Sequence, residues 1–153
     1  MRHIRASPES VYRALLDADA VAAWRVPDGM SAVVHVFDAR VGGRFRVSLT
    51  YETPRGRGKT AAHTDTYHGQ FVELVPNRRV VEEFEFETSD PAFAGGMRMT
   101  TTLADADGGT DLVVVHEGIP PGVSGEDNEV GTEMALGKLA ALVESRSDAP
   151  GNR

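Results

Sequence analysis

The chain has 153 residues, of which 41% are hydrophobic and 25% charged, with a formal charge of -7 and no cysteine. That length and balance predict one globular domain able to bury its own core, and the missing cysteines exclude disulfides, thiolate metal centres and cysteine nucleophiles while suiting a cytoplasmic location. The acidic charge argues against nucleic-acid binding, which draws its affinity from counterions released at basic patches, and no apolar run reaches the length of a membrane span.

Met1 to Ser7 holds Ile4 in a candidate short strand and lacks the apolar core of a signal peptide. Ser7-Pro8-Glu9 then reads as a helix start: a capping serine, a proline at the first helical position and an acid in the first turn. Val11, Leu15 and Leu16 fall on one helical face. Asp17-Ala18-Asp19 breaks the helix, and Asp19 is the expected cap of a second short helix through Ala22 and Trp24. Pro27-Asp28-Gly29 is a turn signal.

From Met30 the period becomes two. Met30, Ala32, Val34 and Val36 alternate with Ser31, Val33, His35 and Phe37. After the Gly42-Gly43 turn, Phe45, Val47, Leu49 and Tyr51 alternate with Arg44, Arg46, Ser48 and Thr50, the pattern of a half-buried strand. Pro54 to Lys59 is a polar hairpin loop, and its basic cluster Arg55, Arg57 and Lys59 reads as a solvated tip. A strand is expected from Thr64 to Val75, ending at Pro76-Asn77. Beyond it, Val80, Phe84 and Phe86 alternate with Glu83, Glu85 and Glu87, so one face is apolar and the other acidic, with Arg44 and Arg46 as candidate partners across the sheet.

Met97, Met99, Thr101 and Leu103 share a face of the next strand, and Leu112, Val114 and His116 follow on one phase after the Asp107-Gly108-Gly109 turn. A long helix begins near Ser124 as cap and carries Val130, Met134, Ala135, Leu136, Leu139, Ala140, Leu142 and Val143 at helical spacing. The organisation expected is a domain over residues 1–146 and a flexible tail over 147–153. Successive hairpins make an antiparallel sheet whose apolar face needs a cover, and the last helix is the only long one available. The fold class is therefore α+β: a curved antiparallel sheet of about six or seven strands, two short N-terminal helices, and one long C-terminal helix gripped over an apolar cavity.

Several segments, in order, resemble a known family. They are 6–15 (Ala-Ser-Pro-Glu-Ser-Val-Tyr-Arg-Ala-Leu), Ala23-Trp24, 38–47 around Gly42-Gly43, 69–80 around Pro76-Asn77, and 109–118 from Gly109 to Gly118. The chain resembles the START-like superfamily (SRPBCC, birch-pollen-allergen-like), in the branch named for activators of the ninety-kilodalton heat-shock protein ATPase. The resemblance implies a helix-grip fold and a ligand cavity. Its members range over lipid carriers, hormone receptors, aromatase/cyclases, stress-linked proteins and co-chaperones, so fold alone does not name a function. The last helix departs from the family pattern: the segment Asp127 to Thr132 keeps Gly131 but lacks the histidine and tryptophan often found there, which would leave the cavity more open near Thr132.

The alternation rule puts Phe84, Phe86, Met97, Met99, Thr101, Leu112, Val114 and His116 on one wall, with Trp24, Tyr51 and Met134 closing the ends. Two readings stay open for this set. It is the lining of a site for a small hydrophobic or aromatic molecule, or it is core filling with a buried histidine. His116 is the one candidate for acid/base catalysis, with Thr101, Tyr51 or Tyr67 as proton-transfer partners in a cyclase, dehydratase or hydrolase; Glu117 points to the opposite face. A third reading is a co-chaperone-like module with a protein partner. His63, Asp65 and His68 do not converge as metal ligands on a strand, and no cofactor is called for. The expected assembly is a monomer or homodimer.

Overall fold

The computed structural model describes residues 2–26, 29–51 and 64–148, and of Tyr51 and residues 146–148 it describes the backbone only. Its elements are β1 (Arg2–Ile4), α1 (Pro8–Leu15), α2 (Ala18–Trp24), β2 (Met30–Phe37), β3 (Arg44–Tyr51), β4 (Thr64–Val75), β5 (Arg79–Phe86), β6 (Met97–Ala106), β7 (Gly109–Glu117) and α3 (Gly125–Asp148). The strands form one antiparallel sheet of seven, in the order β1-β7-β6-β5-β4-β3-β2. This is the α+β helix-grip architecture. The strands after β1 pair mostly by adjacent hairpins, so the sheet is nearly a meander, and β1 closes it by pairing with β7.

The caps follow local chemistry. The Ser7 hydroxyl accepts from the Ser10 backbone N–H at 3.2 Å, and Pro8 takes the first turn of α1. Asp17, rather than Asp19, caps α2: its carboxylate accepts from the Asp19 N–H at 3.0 Å. Placing the cap two residues earlier lengthens α2, whose last residue is Trp24. Ser124 caps α3, accepting from the Asp127 N–H at 2.9 Å. The helix continues through Asp148, into the segment read as the start of a tail; residues 149–153 lie outside the described residues.

Two strand phases differ from simple alternation. Between Val34 and Val36 the β2–β3 register shifts. The extra residue turns Val36 outward, 46% exposed, and brings Phe37 inward, where its ring meets Phe71 edge-on at 5.6 Å. In α3 the buried residues are Leu136, Leu139, Ala140 and Val143. At about 100° per residue, Val130 and Met134 fall on the opposite side of the helix, and both are exposed.

The core lies between the concave face of the sheet and the three helices. Ile4, Val11, Leu112, Leu139 and Val143 are its fully buried centre, and Phe45, Tyr67 and Phe71 form an aromatic band beside them. Gly69 sets the spacing of that band. A Cβ there would lie 2.6 Å from the Phe84 Cβ and 2.1 Å from the Glu83 carbonyl oxygen, so only glycine lets β5 approach β4 this closely. Among the described residues no helix is long and apolar enough to cross a membrane.

Candidate functional site

Where the sheet curves away from the first turns of α3, a pocket of about 340 Å³ remains. Every strand from β2 to β7 contributes to its wall: Met30, Leu49, Tyr67, Phe84, Phe86, Met99, Thr101, Val114 and His116 among others. Trp24 of α2 closes one end, its indole N–H donating to the Ala14 carbonyl at 3.2 Å. Opposite the sheet, α3 presents Asn128, Gly131, Thr132, Ala135 and Leu136. Gly131 is kept from the family pattern, and Thr132 stands beside it where the pattern often has a tryptophan. A Cβ built at Gly131 meets nothing within 4 Å, so the helix faces open space at this point.

Of the residues singled out from the sequence, Trp24, Phe84, Phe86, Met99, Thr101, Val114 and His116 line this pocket. Three do not. Leu112 is on the right face but lies deeper in the core, fully buried. Met97 is buried opposite Phe84, at the far end of β6. Met134 is 38% exposed on the outer side of α3 for the reason of helical phase given above. The Tyr51 side chain and His63 lie outside the described residues. No cluster of potential metal ligands occurs among the described residues.

The pocket also holds a charged pair that simple patterning passes over. Arg25, the residue after α2, donates from Nη1 to Glu82 Oε1 at 2.7 Å. The side chains are only 15% and 6% exposed. The guanidinium lies over the rings of Tyr67 and Phe84, 5.5 and 5.4 Å from their centroids, and its Nη2 is 4.0 Å from the Met99 sulfur. Glu82 occupies an inward position of β5 between Val80 and Phe84, which its strand phase alone indicates. The signal for Arg25 was weaker, because a single arginine at a helix end has no periodicity.

Electrostatics in this corner follow from burial. Burial disfavours the charged form of Arg25, but the Glu82 carboxylate outweighs it and holds the guanidinium above the ordinary arginine value. Burial raises the Tyr67 hydroxyl above the usual tyrosine range, so it stays protonated. Its oxygen is buried and makes no hydrogen bond among the described residues. Burial, and then the Arg25 charge, lower the affinity of His116 for its second proton, leaving it a neutral imidazole near pH 7. His116 stands opposite Met99 in the β6–β7 register, so His116 and Arg25 are both neighbours of Met99 on the pocket wall.

The outer face of the same strands is a different surface. Arg46 grips Glu87 through two bonds of 2.7 and 2.9 Å, His68 bridges Glu87 and Glu85, and Arg98 pairs with Glu83. The Arg46 pairing holds the Glu87 carboxyl at about 2, well below the usual carboxylate range. The pairing expected of Arg46 with the acidic face is thus present.

Comparison with known proteins agrees with this architecture. The crystal structure of protein CV1439 from Chromobacterium violaceum is 37% identical, with a TM-score of 0.84 over 94% of this chain and 93% of that one. Protein Mll3558 from Rhizobium loti is 29% identical, with a TM-score of 0.70 over 92% and 91%. A Rhodobacter sphaeroides protein at 24% identity and a TM-score of 0.77, covering 94% of this chain and 89% of its own, shares the fold. No curated protein matches the chain. Residues 5–144 match the family described as "Activator of Hsp90 ATPase homolog 1-like protein", and the chain belongs to that START-like family.

Proposed function

We propose that this domain binds a small hydrophobic or aromatic molecule, without catalysis, in the pocket between the sheet and α3. The observation that carries the reading is the unfilled, mostly apolar space of about 340 Å³ with a few polar groups at one corner, which is the usual form and size of a small-molecule site. Core filling alone gives a poorer account, because interiors ordinarily close-pack and Gly131 leaves its side of α3 empty.

Catalysis by His116 would need a group that orients the imidazole. Among the described residues His116 makes no hydrogen bond, and the neighbouring Glu117 is exposed on the other face. These features favour binding over turnover. A stress-linked role, a cytoplasmic setting and a protein partner of the co-chaperone kind belong to the same proposal only through the family, and the pocket is the part with direct physical support.

The test is a thermal-shift and native mass spectrometry screen on protein purified without detergent, with 2-isopropylnaphthalene as the reference probe. Binding at one site, abolished by Gly131→Phe, is the expected result. A bulky side chain grown from an open position on α3 should occupy the pocket without disturbing the helix, since Gly131 does not require a positive φ. Equal probe binding by the variant would place the site elsewhere and refute the reading.

A further inference from the structure

We infer that the ligand of this pocket is a ring-bearing molecule with an uncharged oxygen acceptor, which docks on the Arg25 guanidinium and the His116 ring. This rests on the binding function proposed above and specifies its chemistry.

Two donors meet at one place on the wall. Arg25 spends Nη1 on Glu82, whereas among the described residues Nη2 has only the Met99 sulfur, 4.0 Å away. A thioether is a weak acceptor, so that nitrogen keeps most of its hydrogen-bonding capacity. The Tyr67 and Phe84 rings hold the guanidinium in place by stacking, and the Glu82 bond fixes its rotation. His116 stands across the β6–β7 pair from Met99 on the same pocket wall, and its imidazole makes no hydrogen bond of its own among the described residues. Preorganised donors next to an apolar hollow select a molecule whose body is greasy and whose oxygen sits at one end.

The charges select against an anion. Arg25 and Glu82 cancel within the wall, and the buried carboxylate of Asp65 also stands on it. His116 carries no charge near neutral pH, for burial and the Arg25 charge both oppose its protonation. A carboxylate would therefore bring an uncompensated charge into a partly buried corner beside Glu82, with Asp127 of α3 also on the pocket wall. A neutral carbonyl oxygen gains both donors without that penalty.

Three naphthalenes of similar size separate the possibilities: 2-acetylnaphthalene, the apolar 2-isopropylnaphthalene, and 2-naphthoate, each titrated calorimetrically at pH 7.5. The ketone is expected to bind about tenfold tighter than the isopropyl compound, the value of one hydrogen bond to a charged donor, and tighter than the naphthoate. In the double variant Arg25→Met/Glu82→Leu, which removes the pair together and strands neither partner, the ketone should bind no tighter than the isopropyl compound. His116→Leu should remove part of it. Equal binding of ketone and isopropyl compound, or tightest binding of naphthoate, overturns the inference while leaving the binding function standing. No binding by any of the three overturns both.

Discussion

Glu82 and Glu83 are neighbours on β5 with opposite surroundings. Glu83 points outward to Arg98 at 3.0 Å, with both side chains close to half exposed. Glu82 points inward to Arg25, is only 4% exposed, and has aromatic rings around its partner. One residue type, one step along a strand, thus does two kinds of work. The outer pair gains little because water screens it and competes for it. The inner pair has given up its water, so its members depend on each other, and losing one leaves a stranded charge. The inner face is therefore where a single substitution should have large effects, and the outer face where it should have small ones.

The largest expected effect is on Glu82. Glu82→Ala strands the Arg25 charge and should destabilise the protein by about 3–5 kcal/mol in urea denaturation. Arg25→Met/Glu82→Leu should restore most of that loss, since an apolar replacement of the whole pair leaves no charge to solvate. If the double variant were as unstable as the single one, the pair would matter for its packing shape rather than its charge.

The next effect is seen with pH. His116 in the folded protein takes up its second proton less readily than an unfolded histidine, whose ordinary value is 6.5. Between those two values the unfolded chain binds more protons, so stability is complete above about pH 6.5 and is lost as the pH falls toward the lower folded value. His116→Leu should flatten this part of the stability–pH curve. An unchanged slope would mean that another group carries it.

Tyr67→Phe is expected to go the other way. The Tyr67 oxygen is buried with no hydrogen bond among the described residues, so removing it should cost nothing or stabilise by about 1 kcal/mol. A loss of more than 1 kcal/mol in the same urea assay would show that the hydroxyl has a partner in solution.

The smallest effect belongs to the outer face. Arg46→Gln should lower stability only slightly in the same urea assay, and less in high salt. Glu87 adds a pH signature to that pair: its carboxyl is held at about 2, against the ordinary 4.5. The unfolded chain binds the more protons in that window, so the contribution is present above about pH 4.5 and fades as pH falls toward 2. A cost in Arg46→Gln as large as that of Glu82→Ala would erase the distinction between the faces.

Much of the inner wall was legible in the sequence because strands alternate. Phe84, Phe86, Met99, Thr101, Val114 and His116 were placed by counting in twos, and the long helix by its apolar face. The exceptions have physical causes. Counting left Glu82 out of both faces of β5, although its phase between Val80 and Phe84 already put it inside. The Val34–Val36 register shift exchanged Val36 for Phe37, and a bulge leaves no clear mark in residue type. Met134 was assigned to the pocket by its apolar character, but helical phase places it outside. Arg25 was found only by structure, for what it pairs with is 57 residues away.

The central claim is that the space under α3 at Gly131 is a binding site. Calorimetric titration of 2-acetylnaphthalene into the wild-type protein and into Gly131→Phe tests it most directly. One-to-one binding to the wild type, lost in a variant whose circular dichroism and melting temperature are unchanged or higher, is the predicted result. Undiminished binding to the folded variant would contradict it.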